Sequence, residues 1–214
     1  NNPLFSHNGK VIEAKGDSSH VTVDLALKWM AKVKDKPFLA VVWFGSPYGP
    51  HQGGEEFLKQ YKDEPNAMAN FYAEITGMDA AMVELRAGIR KLGVAENTVL
   101  WYCSDNGGLK PNSMGGLSGK KGTLLEGGIR VPCIVKWPGK IPAGATSDEF
   151  RTSLEILPTL CAATAAAPPK GVALDGFDRL PVLQGRRASP RTERFWDRKL
   201  DKGARVGHWK WVES

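Results

Sequence analysis

Residues 98–132 read Thr-Val-Leu-Trp-Tyr-Cys-Ser-Asp-Asn-Gly-Gly and, after an irregular stretch, Gly-Lys-Lys-Gly-Thr-Leu-Leu-Glu-Gly-Gly-Ile-Arg-Val-Pro. Few folds accommodate an apolar run that breaks so abruptly into a glycine-dense loop. Residues 99–103 are β-rich and lack a helical period, which predicts a buried strand ending at Asp105-Asn106-Gly107-Gly108. A carboxylate beside a carboxamide at the end of a rigid strand is a donor set for a hard, oxygen-seeking cation, calcium or magnesium. The same pair also suits an ordinary Asx turn. Eight glycines fall from Gly107 to Gly128, around Lys120 and Lys121. The segment is too irregular for a helix or strand and too long for an idle connection, so it is expected to belong to a site.

Upstream, residues 1–16 read as an extended lead-in. Asp17-Ser18-Ser19 supplies N-cap chemistry for a helix with apolar positions Val23, Ala26, Leu27, Met30 and Val33, closed by Pro37. Residues 38–44 are continuously apolar between a proline and Gly45-Ser46-Pro47, the pattern of a central parallel strand buried on both faces. The turn after it, Pro47-Tyr48-Gly49-Pro50-His51, is the next place to look for function. Pro65 opens a second helix, whose stripe Phe71, Ile75, Met78, Met82, Leu85, Ile89 and Leu92 predicts a buried face. Gly77 and Gly88 inside it each cost roughly 1 kcal/mol against alanine and point to close packing. Strand, helix and strand together predict a right-handed βαβ unit with parallel strands.

Downstream, residues 131–137 are a further β-rich run ended by Pro138-Gly139, and Ser153 is placed to cap a short helix carrying Leu154, Ile156, Leu157 and Leu160. Residues 162–176, rich in alanine, proline and glycine, read as a linker. The segments around Phe195-Trp196 and His208-Trp209-Lys210-Trp211 read as two strands of a small antiparallel sheet. The expected organisation is an α/β region over residues 1–161 and a linker with the start of a C-terminal sheet over 162–214. Glu126 and Arg130 are expected to order the loop as a charged pair.

The chain of 214 residues carries a net charge of +6. Its basic residues are scattered, which argues against a nucleic-acid partner, while a mild positive field favours anionic substrates. No apolar run approaches the ~20 residues of a membrane span. The opening Asn-Asn-Pro-Leu-Phe shows no signal peptide. Cys103, Cys133 and Cys161 lack CxxC spacing and read as buried thiols.

Asp105-Asn106-Gly107, Gly119-Lys120-Lys121-Gly122-Thr123, the run from Glu126 to Pro132, and Trp137-Pro138-Gly139 occur in order over about forty residues. Together they resemble the second half of the type I, formylglycine-dependent sulfatases of the alkaline-phosphatase-like superfamily. Ile156-Leu157-Pro158-Thr159-Leu160, Leu174-Asp175-Gly176 and Leu180-Pro181-Val182-Leu183 extend the likeness. The resemblance implies an α/β fold with a largely parallel sheet flanked by helices, and the start of a small C-terminal antiparallel sheet. It also implies sulfuric ester hydrolysis of a sulfated small molecule or saccharide in a periplasmic or extracellular setting.

By the same resemblance, Asp105 and Asn106 are half of a calcium site, with magnesium the lesser alternative, and Lys121 is the substrate-binding and catalytic lysine. The family's Pro-His-x-Pro turn matches Pro47-Tyr48-Gly49-Pro50 with Tyr48 in the histidine's place. A phenol donates a hydrogen bond but lacks a cationic form. His51 is then either a replacement for the family's histidine or a solvated loop residue. No cysteine of this chain lies in Cys-x-Pro-Ser-Arg and no early acidic pair is present, so the formylglycine is expected upstream and the chain alone is expected to be inactive. Two further readings are a fragment of a related phosphoric or phosphonic ester hydrolase, and a non-catalytic anion- or metal-binding remnant.

Overall fold

In the computed structural model, which describes residues 4–110 and 113–213, the Asp17 carboxylate accepts the Ser19 N–H at 2.9 Å and so starts the first long helix, α1 (Ser18–Val33). The chain divides into two compact units, Asn1–Glu96 and Asn97–Ser214.

In the first unit the expected extended lead-in is instead a hairpin, with β1 (Leu4–His7) antiparallel to β2 (Lys10–Glu13). Asn8 and Gly9, both at positive φ, make the turn, the Asn-Gly signature whose twist matches paired strands. After α1 come a single helical turn α2 (Glu55–Leu58) and the long helix α3 (Asn66–Lys91), which ends at Leu92 with Gly93 at φ +75°. Phe71, Leu85 and Ile89 are buried on α3 as the stripe predicts, and Ala69, Ala73 and Ala81 join them. The small residues bring neighbouring segments close to the α3 backbone. A Cβ on Gly77 would lie 3.1 Å from the Phe57 ring, and one on Gly88 would collide with Leu27 of α1. Close packing is therefore what offsets the helix cost of both glycines.

Residues 38–44 correct the sequence reading. They run extended but join no ladder among the described residues, and their burial alternates. Phe38, Ala40, Val42 and Phe44 are half-buried, whereas Leu39, Val41 and Trp43 face outward, Trp43 at 85% exposure. A strand buried on both faces needs a packed layer on each side, whereas here only the even-numbered face is partly covered, with Phe38 meeting Trp29 of α1 edge-on.

The second unit is built on β3 (Leu100–Cys103), paired antiparallel with β4 (Cys133–Lys136) so that Cys103 stands opposite Cys133. Every ladder among the described residues is antiparallel, so the predicted parallel pairing of β3 within a βαβ unit is not formed here. Cys103 is exposed and the other two cysteines are half-buried, all three free, which corrects their reading as buried thiols. Cys103 ends a two-stranded ladder, where nothing covers it.

Thr152, one residue before the expected cap, forms a capping box with Glu155 and starts a 3₁₀ turn that leads into α5 (Ile156–Thr164). Glu155 is fully buried and shares its carboxylate between the Thr152 N–H, at 2.5 Å, and the guanidinium of Arg191. Arg179, 1% exposed, sits 3.9 Å from the same carboxylate. Its backbone N–H donates to Thr159 Oγ1 and its guanidinium to Ser189 Oγ and the Glu149 carbonyl. Burial pushes the Arg179 guanidinium down from its ordinary value, with Glu155 pulling it back. This network joins α5 to the turn of α6 (Leu180–Leu183) and to the segment ending at Arg191. The terminal sheet has three strands where two were expected, β5 (Glu193–Arg198), β6 (Asp201–Val206) and β7 (Trp209–Glu213), in the order β5-β6-β7. No helix among the described residues is long and apolar enough to cross a membrane.

Candidate active site

The glycines after β3 are spent on one backbone knot. The Gly107 N–H donates to the Gly128 carbonyl at 2.9 Å, the Gly127 N–H to the Ser118 carbonyl at 2.7 Å, and the Lys121 N–H to the Gly108 carbonyl at 2.9 Å. There is no room for side chains at the crossing. A Cβ on Gly107 would collide with Gly127 O, and one on Gly127 would lie 2.8 Å from Ser118 O. The knot brings the Asp105–Asn106 turn and Lys121 together in one unit, as the sequence pattern anticipates. The one-turn helix α4 (Glu126–Ile129) closes the loop.

Asp105 is exposed at the strand end and Asn106 is half-buried. The Asn106 carboxamide donates through Nδ2 to the Gly107 carbonyl at 3.2 Å, a bond that does not use its oxygen. The Asp105 carboxylate and the Asn106 carboxamide oxygen are thus two hard donors on one turn, which fits calcium better than a thiolate-seeking ion. A calcium ion takes about six to eight oxygens. Among the described residues no three His, Cys, Asp or Glu side chains gather to hold a metal. The turn therefore fits part of a calcium shell.

The knot is buttressed by the terminal sheet. Lys210 of β7 places Nζ 2.5 Å from Glu126 Oε1 and 5.3 Å from the Trp196 ring centroid, and buried Leu124 lies beneath Gly203 of β6. The partner of Glu126 is thus Lys210, while the expected Arg130 is exposed. Lysine 120 is also exposed, and Lys121 is half-buried.

The other candidates belong to the first unit. Tyr48 is 70% exposed. His51 is not a solvated loop residue. Its side chain is 13% exposed, its Nδ1 lies 2.8 Å from Glu74 Oε2, and its ring meets Phe71 edge-on at 5.2 Å. The segment lies along α3 residue by residue, since the Gln52 N–H donates to Glu74 Oε1 at 2.9 Å and the Gly53 N–H to Asn70 Oδ1 at 3.0 Å. Sequence reasoning passed over Glu74 and Lys210. A carboxylate three residues after Phe71, inside an apolar stripe, was the available signal for Glu74. Lys210 carried none.

The strand end and the glycine knot set the Asp105–Asn106 turn beside Lys121 in one unit, and the comparisons identify the class. The Sulfatase family model matches residues 1–166, so the chain belongs to the sulfatase family. It is 38% identical to human arylsulfatase A over 174 residues, 78% of this chain and 32% of that protein. Rat steryl-sulfatase is 32% identical over 168 residues, 73% of this chain and 28% of that protein. The solved structure of Ps i-CgsB in complex with k-i-k-neocarrahexaose superposes with a TM-score of 0.87 at 25% identity, covering 97% of this chain and 48% of that one. The chain thus has the alkaline-phosphatase-like fold, and it spans about a third of the length of the curated relatives it matches.

Proposed function

We propose that this chain is the downstream part of a sulfuric ester hydrolase acting on a sulfated small molecule or saccharide outside the cytoplasm, and that alone it is inactive. The observation that carries this reading is the Lys121 N–H bond to the Gly108 carbonyl at 2.9 Å, which fixes an ammonium-bearing residue to the turn that holds two oxygen donors. Family membership supports the rest.

In this reading Asp105 and Asn106 supply two oxygen ligands to calcium. Bound there, calcium would offset the negative charge of the sulfate oxygens. The other ligands and the formylglycine nucleophile belong to parts of the protein outside these residues. Lys121 donates hydrogen bonds to the sulfate group and stabilises the negative charge that grows on the ester oxygen as the S–O bond breaks, an effect worth a few kcal/mol where water is excluded. Its backbone tether fixes the main chain that carries the ammonium beside the turn, so only the side chain has to be ordered during the reaction. His51 contributes a sulfate contact through its imidazole. Tyr48 is assigned the weaker role of a hydrogen-bond donor, since a phenol brings no positive charge to an anion.

Calcium titration by calorimetry of the complete protein tests the metal assignment. Asp105→Ala is expected to abolish the heat of binding, and unchanged calcium affinity would overturn the assignment.

A further inference from the structure

We propose that Glu74 is the positioning residue of His51. Its carboxylate accepts the Nδ1–H hydrogen bond and faces the imidazolium with a negative charge, so the ring presents Nε2–H as the donor to the sulfate ester. The proposal rests on the reading that His51 contacts sulfate, and it adds a residue which neither the motifs nor the family pattern singled out.

Three observations carry it. First, Glu74 is buried in the apolar face of α3, at 8% side-chain exposure. A carboxylate there costs several kcal/mol unless its oxygens are matched, so a helix built only for packing does not retain one. Second, each oxygen has its own donor. Oε2 faces His51 Nδ1 at 2.8 Å and Oε1 accepts the Gln52 N–H at 2.9 Å. An ionised carboxylate only accepts, so Nδ1 carries a proton and Nε2 is the nitrogen left to face a ligand. Glutamine could not do the same. Its amide offers one acceptor oxygen and one donor nitrogen, and keeping the Gln52 bond would turn an N–H toward Nδ1.

Third, the ring is held from other sides as well. Phe71, one turn before Glu74 on the same helix, meets it edge-on, and the chain after it is tied down where the Gly53 N–H donates to Asn70. At Gly53 a Cβ would collide with Ala73, so the segment that carries His51 lies directly on α3. Asn70, Phe71, Ala73 and Glu74 together form a seat for residues 51–53. A structural cap needs no carboxylate partner for the ring, whereas a histidine that must donate Nε2–H to an anion is held in its charged form by one.

The test is a nitrogen-15 spectrum of the histidine rings in the labelled chain, with His51 assigned by its loss in His51→Gln. The wild-type ring is expected to carry a proton on Nδ1, and Glu74→Gln is expected to leave Nδ1 bare. In the complete protein, Glu74→Gln is expected to lower kcat/KM for an aryl sulfate by about 10–10²-fold, the difference between a charge-assisted and a neutral hydrogen bond to the sulfate, with Glu74→Asp recovering part of the loss.

A bare Nδ1 in the wild type overturns the proposal, and that result does not require the variant to fold. Unchanged kcat/KM in a folded Glu74→Gln protein also overturns it, leaving only a structural bond. Full turnover by His51→Gln overturns the sulfate-binding reading of His51 beneath the proposal. A bare Nδ1 together with an inactive His51→Gln overturns the role of Glu74 alone.

Discussion

Lys210 and Glu126, 84 positions apart, meet with Nζ 2.5 Å from Oε1, and this pair fastens the glycine knot to the last strand of the terminal sheet. The knot needs an external anchor because glycine loses more conformational freedom on ordering than any other residue. A loop this rich in glycine is held by what lies around it. The terminal sheet therefore braces the loop that carries Lys121.

Lys210→Met keeps most of the aliphatic stem over Trp196 and removes the charge. It is expected to lower stability by about 1–2 kcal/mol, the range for a hydrogen bond to a charged, half-buried partner. Denaturant unfolding measures this. A loss equal to that of the exposed control Lys202→Met would show that the pair holds nothing.

Gly127→Ala is expected to cost at least about 3 kcal/mol, since the added Cβ would press on the carbonyls of Ser118 and Gly119 within the knot. Gly139→Ala provides the comparison. Gly139, unlike Gly127, lies at positive φ, and nothing stands within 4 Å of its Cβ position, so only backbone strain of about 1 kcal/mol is expected. Equal unfolding midpoints for the two variants would contradict the knot as the reason for glycine at 127.

Glu155→Ala removes the carboxylate shared by Arg179 and Arg191 and leaves a buried guanidinium without its counter-charge. The expected loss is about 3–5 kcal/mol, read as a shift of the denaturation midpoint. A loss below about 1 kcal/mol would mean that solvent reaches Arg179 on truncation.

Much of this architecture was legible because it rests on local chemistry. Asp17 caps α1, the stripe on α3 faces inward at Phe71, Leu85 and Ile89, and Asp105–Asn106 and Lys121 share one loop. The misreadings share a cause. Residues 38–44 carry the composition of a central strand, but composition cannot say which strands lie alongside, and none pairs with them among the described residues. The partner of Glu126 could not be found four residues away because it lies 84 residues on. Arg179 and Arg191 carried no signal of their own in the sequence, since two arginines and one carboxylate reveal their burial only once the segments carrying them meet. Asn8-Gly9 was a hairpin signal within reach and was passed over among the glycines of the lead-in.

The central claim is that the glycine knot exists to present Lys121 to a sulfate ester, and it is tested most directly by Lys121→Ala in the complete, calcium-loaded protein. Aryl sulfate turnover and the unfolding temperature would be measured on the same sample. The account predicts a fall in kcat of about 10²–10³-fold, the cost of losing one preorganised donor, with the unfolding temperature essentially unchanged. Turnover that survives the substitution in a folded protein would contradict it.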